Sequence, residues 1–162
     1  MTSCIRLVQL IFYDCSGIIS LVIPANVGGI WSYAFWNCGN LESLYFYGNA
    51  PSVGEFAFYG DGNATAYYLP QTTGWVTFGG VATALWLPQI QTSNQKLSEQ
   101  GKKFGLTLSW ASGQTIVLES CTNLFNPTWL PLWTNILVSG STNFDDPKKT
   151  NFLSRFYRIC SH

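Results

Sequence analysis

Cys15-Ser16-Gly17-Ile18-Ile19-Ser20-Leu21-Val22-Ile23-Pro24 decides the reading of this chain, because 23 positions later it returns as Cys38-Gly39-Asn40-Leu41-Glu42-Ser43-Leu44-Tyr45-Phe46-Tyr47. Cys, the apolar residue after it, Ser, Leu and the apolar strand end all fall on their counterparts. Farther along, Ile30 meets Val53, Ala34 meets Ala57 and Phe35 meets Phe58. Backwards, Phe12 precedes Phe35 and Leu7 precedes Ile30. Forwards, Leu41 leads to Ala64, Leu44 to Tyr67, Phe46 to Leu69, and Pro24 through Tyr47 to Pro70. Such a period belongs to stacked coils, none of which buries its apolar side alone.

Alternation within each period predicts short parallel strands over Ser20–Pro24, Ser43–Tyr47 and Ala66–Pro70. Leu21 and Ile23, Leu44 and Phe46, and Tyr67 and Leu69 are then expected to point inward. The returning side, with Ala34–Phe35 and Ala57–Phe58, is expected on a helical or 3₁₀ turn. Phe12, Phe35 and Phe58 should stack as a ladder through the core. Outward would stand Val22, Tyr45 and Tyr68, flanked by Pro24, Tyr47 and Pro70. Val22, Tyr45, Tyr47 and Tyr68 are the candidate ligand-binding residues, since tyrosine offers an apolar face and a hydroxyl at low entropic cost. The same rings could equally serve only to cover the sheet.

The run Leu21-Val22-Ile23-Pro24-Ala25-Asn26-Val27, with Ile30, Tyr33-Ala34-Phe35, Cys38 and Leu41 after it, resembles the BspA-like leucine-rich-repeat family over about residues 7–86. Trp31 departs from that pattern, which usually has Gly after the Ile. Thr73-Gly74-Trp75 through Leu85-Trp86 resembles the closing segment of such arrays. The resemblance implies a surface or secreted protein that adheres to proteins or cells, with no catalytic residue to carry over. Met1 falls in mid-coil, so we expect a longer array, an export signal upstream, and an exposed coil edge at Ser20–Pro24 through which the protein could self-associate.

After the array the pattern changes. Pro88–Gly101 is polar and reads as a linker. Strands are expected over Phe104–Trp110, Thr115–Cys121, Ile136–Val138 and Arg155–Cys160, with turns at Asn126-Pro127 and Asp146-Pro147. The expected fold is therefore mostly β. A solenoid of about three coils with parallel strands (residues 1–87) leads through a linker (88–101) to a small antiparallel β-sandwich (102–162). Glu119–Leu124, Pro127-Thr128-Trp129 and Arg155–Arg158 resemble a C-terminal module of large secreted bacterial proteins.

Composition narrows the function classes. Charged residues are 10% of the chain and aromatic residues 16%, a balance that suits extracellular β architecture. Up to Gln95 there is one base, Arg6, against four acids; from Lys96 there are seven bases against four acids. That excess is too small for a nucleic-acid stripe. No apolar run is long enough to span a membrane.

Chemistry-bearing residues are few. His162 is the only histidine and the terminal residue; a triad role would need it held by a third group. Without a C-x-x-C pair, zinc is not expected. Cys15 and Cys38 recur in successive coils, which favours a buried thiol ladder over a disulfide. Cys121 and Cys160 both end strands and could pair. Asp145-Asp146 reads as a turn before Pro147 in preference to a calcium pair. Neither a catalytic residue nor a metal or cofactor site is expected, and the expected partner is a protein or glycan. The alternative is a structural spacer.

Overall fold

In the computed structural model, residues 12–93, 105–147 and 153–161 are described. Leu7, Cys4, His162 and the readings that rest on the first residues lie outside them. The chain divides into two compact units at Trp86/Leu87.

The first unit is a solenoid. Its sheet is parallel, in the order β1 (Ser20–Ile23), β3 (Ser43–Phe46), β5 (Thr65–Tyr68), β6 (Ala82–Leu85). Two short strands, β2 (Gly29–Ile30) and β4 (Ser52–Val53), pair on a second side. Alternation buries Ile23, Leu44, Phe46 and Ala66, while Val22 stays 52% exposed. Phe12, Phe35 and Phe58 form the expected ladder, with centroids 5.1 and 5.2 Å apart and planes within 11° and 8°. Phe35 is fully buried, and burial of such a ring contributes about 1.5–3 kcal/mol. Trp75 and Phe78 close the core, packing on Phe46 at 4.8 and 5.1 Å.

The returning side is not a helix or 3₁₀ turn. The amides of Ala34, Trp36 and Cys38 close local turns onto the carbonyls of Trp31, Tyr33 and Phe35. The intervening amides of Tyr33, Phe35 and Asn37 donate instead to Glu55, Ala57 and Tyr59 of the next coil, at 3.2, 2.8 and 2.7 Å. A helix would need all six bonds within its own segment. This alternation demands left-handed backbone at fixed places. Asp14, Asn37 and Gly60 make one such row, and Tyr33 and Phe56 the other. The first row uses residue types that tolerate the conformation; the second places aromatic residues in it.

The coil period is not constant. Ser20 pairs with Ser43, but Ser43 pairs with Thr65. Ala64 occupies the place of Leu41, and Thr65 follows at once, where Glu42 stands between Leu41 and Ser43. The third strand therefore starts one residue early, and a one-residue slip turns every side chain over. Ala66, expected on no particular face, is fully buried opposite Leu44.

The second unit holds two antiparallel sheets. In one, β9 (Thr115–Cys121) lies between β10 (Leu130–Ile136) and β12 (Phe156–Ser161). In the other, β8 (Gly105–Ser109) lies between β7 (Gln89–Ser93) and β11 (Ser141–Asp145). Strand β7 occupies the start of the stretch read as a linker, its polar residues tolerated at a sheet edge. The strand read at Ile136–Val138 ends at Ile136 instead. Its Pro131 sits on an edge strand with a register shift beside it, where a missing N–H is tolerated. Leu106, Leu108, Ile116, Leu118 and Phe144 are buried, and Trp133 of one sheet meets Phe144 of the other at 5.6 Å.

Asp146 is buried, and Arg155 donates to it at 2.7 Å and to Ser120 Oγ at 3.0 Å. The Tyr157 hydroxyl also donates to Asp146, at 2.7 Å. Burial and that bond push Tyr157 up to about 12. Asp146 thus anchors a buried ion pair. Cys121 faces Phe156 and Cys160 faces Val117, so the antiparallel register keeps the two cysteines apart and both are free thiols.

In the solenoid, Cys38 is a buried free thiol whose Sγ donates to the Phe12 carbonyl at 2.7 Å. The third rung of this ladder is Asp61, 2% exposed, with no side-chain partner for its carboxyl. Burial raises it to about 6, against a smaller opposing pull from the Cys38 backbone. A carboxyl raised in the folded state stays protonated there after the unfolded chain has ionised. Stability should therefore fall as pH rises from about 4 to about 6 and stay low above it, by up to about 3 kcal/mol. Asp61→Asn should remove that slope, raising the urea midpoint at pH 7.5 and changing it little at pH 4. Equal midpoint shifts at both pH values would contradict this assignment.

Candidate functional site

The outer face of the parallel sheet carries one column set by register. Val22 pairs with Tyr45, Tyr45 with Tyr67, and Tyr67 with Ala84. The Tyr45 and Tyr67 rings stack at 5.2 Å, 19° from parallel. Trp86, just beyond β6, tilts against Tyr45 at 4.8 Å and meets Tyr47 edge-on at 5.3 Å. Its backbone amide is fixed by the Tyr68 carbonyl at 2.7 Å. Four half-buried rings so form one continuous surface beside the exposed Val22.

Val22, Tyr45 and Tyr47 lie together at this surface, but Tyr68 does not. Its ring stacks on Trp75 at 5.1 Å, 6° from parallel, and packs against the core cluster. The outward position belongs to Tyr67, because the contracted third coil shifts the strand by one residue. An ungapped period hides this. The deciding signal is the missing residue between Ala64 and Thr65, together with a small Ala66 where earlier coils place Leu.

A second aromatic surface was not anticipated. On the returning side Tyr13, Trp36 and Tyr59 follow one another coil by coil, Trp36 and Tyr59 stacking at 4.3 Å. Beside them Tyr33 stacks on Phe56 at 5.7 Å. Tyr13, Phe56 and Tyr59 are each more than half exposed. These rings sit next to the buried Phe ladder in sequence, and their recurrence at the same spacing was available to be read. Among the described residues, no group of three or more His, Cys, Asp or Glu lies together as a metal site would need. No helix among them is long and apolar enough to cross a membrane.

Residues 5–78 match the family model of the BspA type leucine rich repeat region, in 6 copies. This segment is a BspA-type leucine-rich-repeat array. No curated protein and no solved structure matches the chain. Repeats of this family are generally non-enzymatic and build interaction modules, in keeping with a continuous core that leaves whole outer faces free. In this BspA-type array the closing segment does two jobs: Trp75 and Phe78 seal the core, while Trp86 enlarges the sheet face.

The register makes a direct prediction. Tyr68→Ala removes a ring stacked on Trp75 and should cost about 2 kcal/mol or more in chemical denaturation. Tyr67→Ala, on the outer face, should cost less than about 1 kcal/mol. The reverse ranking would place Tyr67 inside and restore the constant period.

Proposed function

We propose that the chain is a non-catalytic binding or adhesion module of a bacterial surface or secreted protein, which recognises a protein or glycan through the sheet face of its solenoid. The site comprises Val22, Tyr45, Tyr47 and Tyr67, with Trp86 at its margin. The observation that carries this reading is the continuous ring surface joining Tyr67, Tyr45, Trp86 and Tyr47. Rigid aromatic side chains lose little entropy on binding and present both an apolar face and a polar edge. The interaction-module character of BspA-type repeats supports it. Their typical place on bacterial surface and secreted proteins supports the location. Self-association through β1, the end strand of this sheet among the described residues, belongs to the same proposal, since a sheet edge can pair with another chain.

Residues 12–86 contain Asp14, Glu42, Glu55 and Asp61 and no Lys, Arg or His. This segment therefore has no base to neutralise a phosphate backbone, which argues against nucleic acid as partner.

The test uses the full chain, immobilised and presented to arrays of purified proteins and glycans. Specific retention by the wild type should be lost in Tyr45→Ser/Tyr67→Ser, with circular dichroism unchanged. Retention that survives the double variant would move the site elsewhere. A wild type that retains nothing specifically would favour the spacer reading.

A further inference from the structure

The two outer aromatic rows end at a cleft. Past the Tyr33–Phe56 row stands Gly79, whose backbone is also left-handed and which lines the same cleft as Phe56. A Cβ at Gly79 would come within 2.7 Å of the Phe58 ring, so this place is closed to any side chain. Beyond Phe56 and Tyr59 opens a cleft of about 380 Å³, lined also by Gly60, Asp61, Gly62 and Gly80. Its two rings stand nearly perpendicular, at 77° and 6.2 Å. Trp36 covers one side of Tyr59 and Tyr33 one side of Phe56.

We propose that this cleft binds an organic cation, a guanidinium or alkylammonium head group, seated against the Phe56 and Tyr59 rings with the Asp61 carboxyl behind it. Ring faces attract cations through their quadrupole, and perpendicular rings grip a compact cation from two directions. Asp61 adds a charge of the right sign. It is 2% exposed, and the Cys38 backbone is the one group that favours its charged form. Asp61 lines the cleft, and a charge so deeply buried is poorly screened by solvent. No base within residues 12–86 neutralises it, and Glu55 adjoins Phe56 in sequence. A neutral sugar would gain nothing from that carboxyl, and a phosphate would be repelled. The site is distinct from the sheet face and does not depend on it.

Cation binding favours the ionised carboxyl, so affinity should follow the ionisation of Asp61, which burial places near 6. The other titratable groups nearby are the Cys38 thiol, itself raised by burial, the Asp14 carboxyl and the Tyr59 phenol. Burial keeps the thiol neutral across that range.

The full chain is titrated with choline, with methylguanidinium and with the uncharged carbon isostere dimethylbutanol, following amide and aromatic-ring NMR signals. At pH 7.5 a cation should shift Phe56, Tyr59, Gly60 and Gly80 saturably, and the isostere should bind at least about fivefold more weakly. The stronger of the two cations identifies the head group. Lowering the pH to about 5 should weaken wild-type binding about tenfold, and Asp61→Asn should lose the same factor together with the pH dependence. Tyr45→Ser/Tyr67→Ser should leave the titration unchanged. Equal binding of choline and its isostere, binding indifferent to pH, or the absence of saturable shifts at these residues would each overturn the proposal.

Discussion

On the returning side of the solenoid, every second amide from Tyr33 to Asn37 reaches across to the next coil. Phe35 bonds Ala57 and Asn37 bonds Tyr59, while the amides between them close local turns. Backbone groups buried between coils must find partners, and this alternation satisfies both sets at once. It also dictates the rest. It excludes a helix, calls for left-handed backbone at two places per coil, and brings equivalent residues of successive coils into direct contact. The stacked Phe12, Phe35 and Phe58 rings in the core are a consequence, and so are Trp36 and Tyr59 outside it.

The sheet side is less constrained. Its strands bond along their length, and a coil that arrives one residue early still finds a full ladder. Between Ala64 and Thr65 the third coil does so. On the returning side the left-handed positions keep one spacing from Tyr33 to Phe56 and from Asn37 to Gly60, both ahead of the contraction. The face offered to a partner is therefore made by a local deletion: Tyr67 turns outward to Tyr45, and Tyr68 turns inward to Trp75.

Charge follows the same division between the two units. The solenoid residues 12–86 hold acids without bases. The second unit instead uses its charge internally, with Arg155 and Tyr157 both donating to the buried Asp146. This buried ion pair holds β12 and β9 to the end of β11, where removal of one partner would leave an uncompensated charge. The uncompensated acid of the solenoid, Asp61, has no such partner, and it lies beside the cleft at the end of the outer aromatic rows.

Sequence alone determined the repeating architecture, the buried Phe ladder, the inward Ile23, Leu44 and Phe46, and the outward Val22 and Tyr45. These follow from periodicity, and periodicity is a property of the linear chain. Tertiary structure decided what periodicity cannot carry. It decided that Tyr67 rather than Tyr68 faces out, because register is settled by which pairing buries Ala66 against Leu44. It placed Trp86 beside Tyr45 and Tyr47 through a strand that joins from outside the period. It kept Cys121 and Cys160 apart through antiparallel register, and it buried Asp61 in a row that begins with two cysteines. In each case the outcome depends on a neighbour distant in the chain, and only the packed molecule supplies that neighbour.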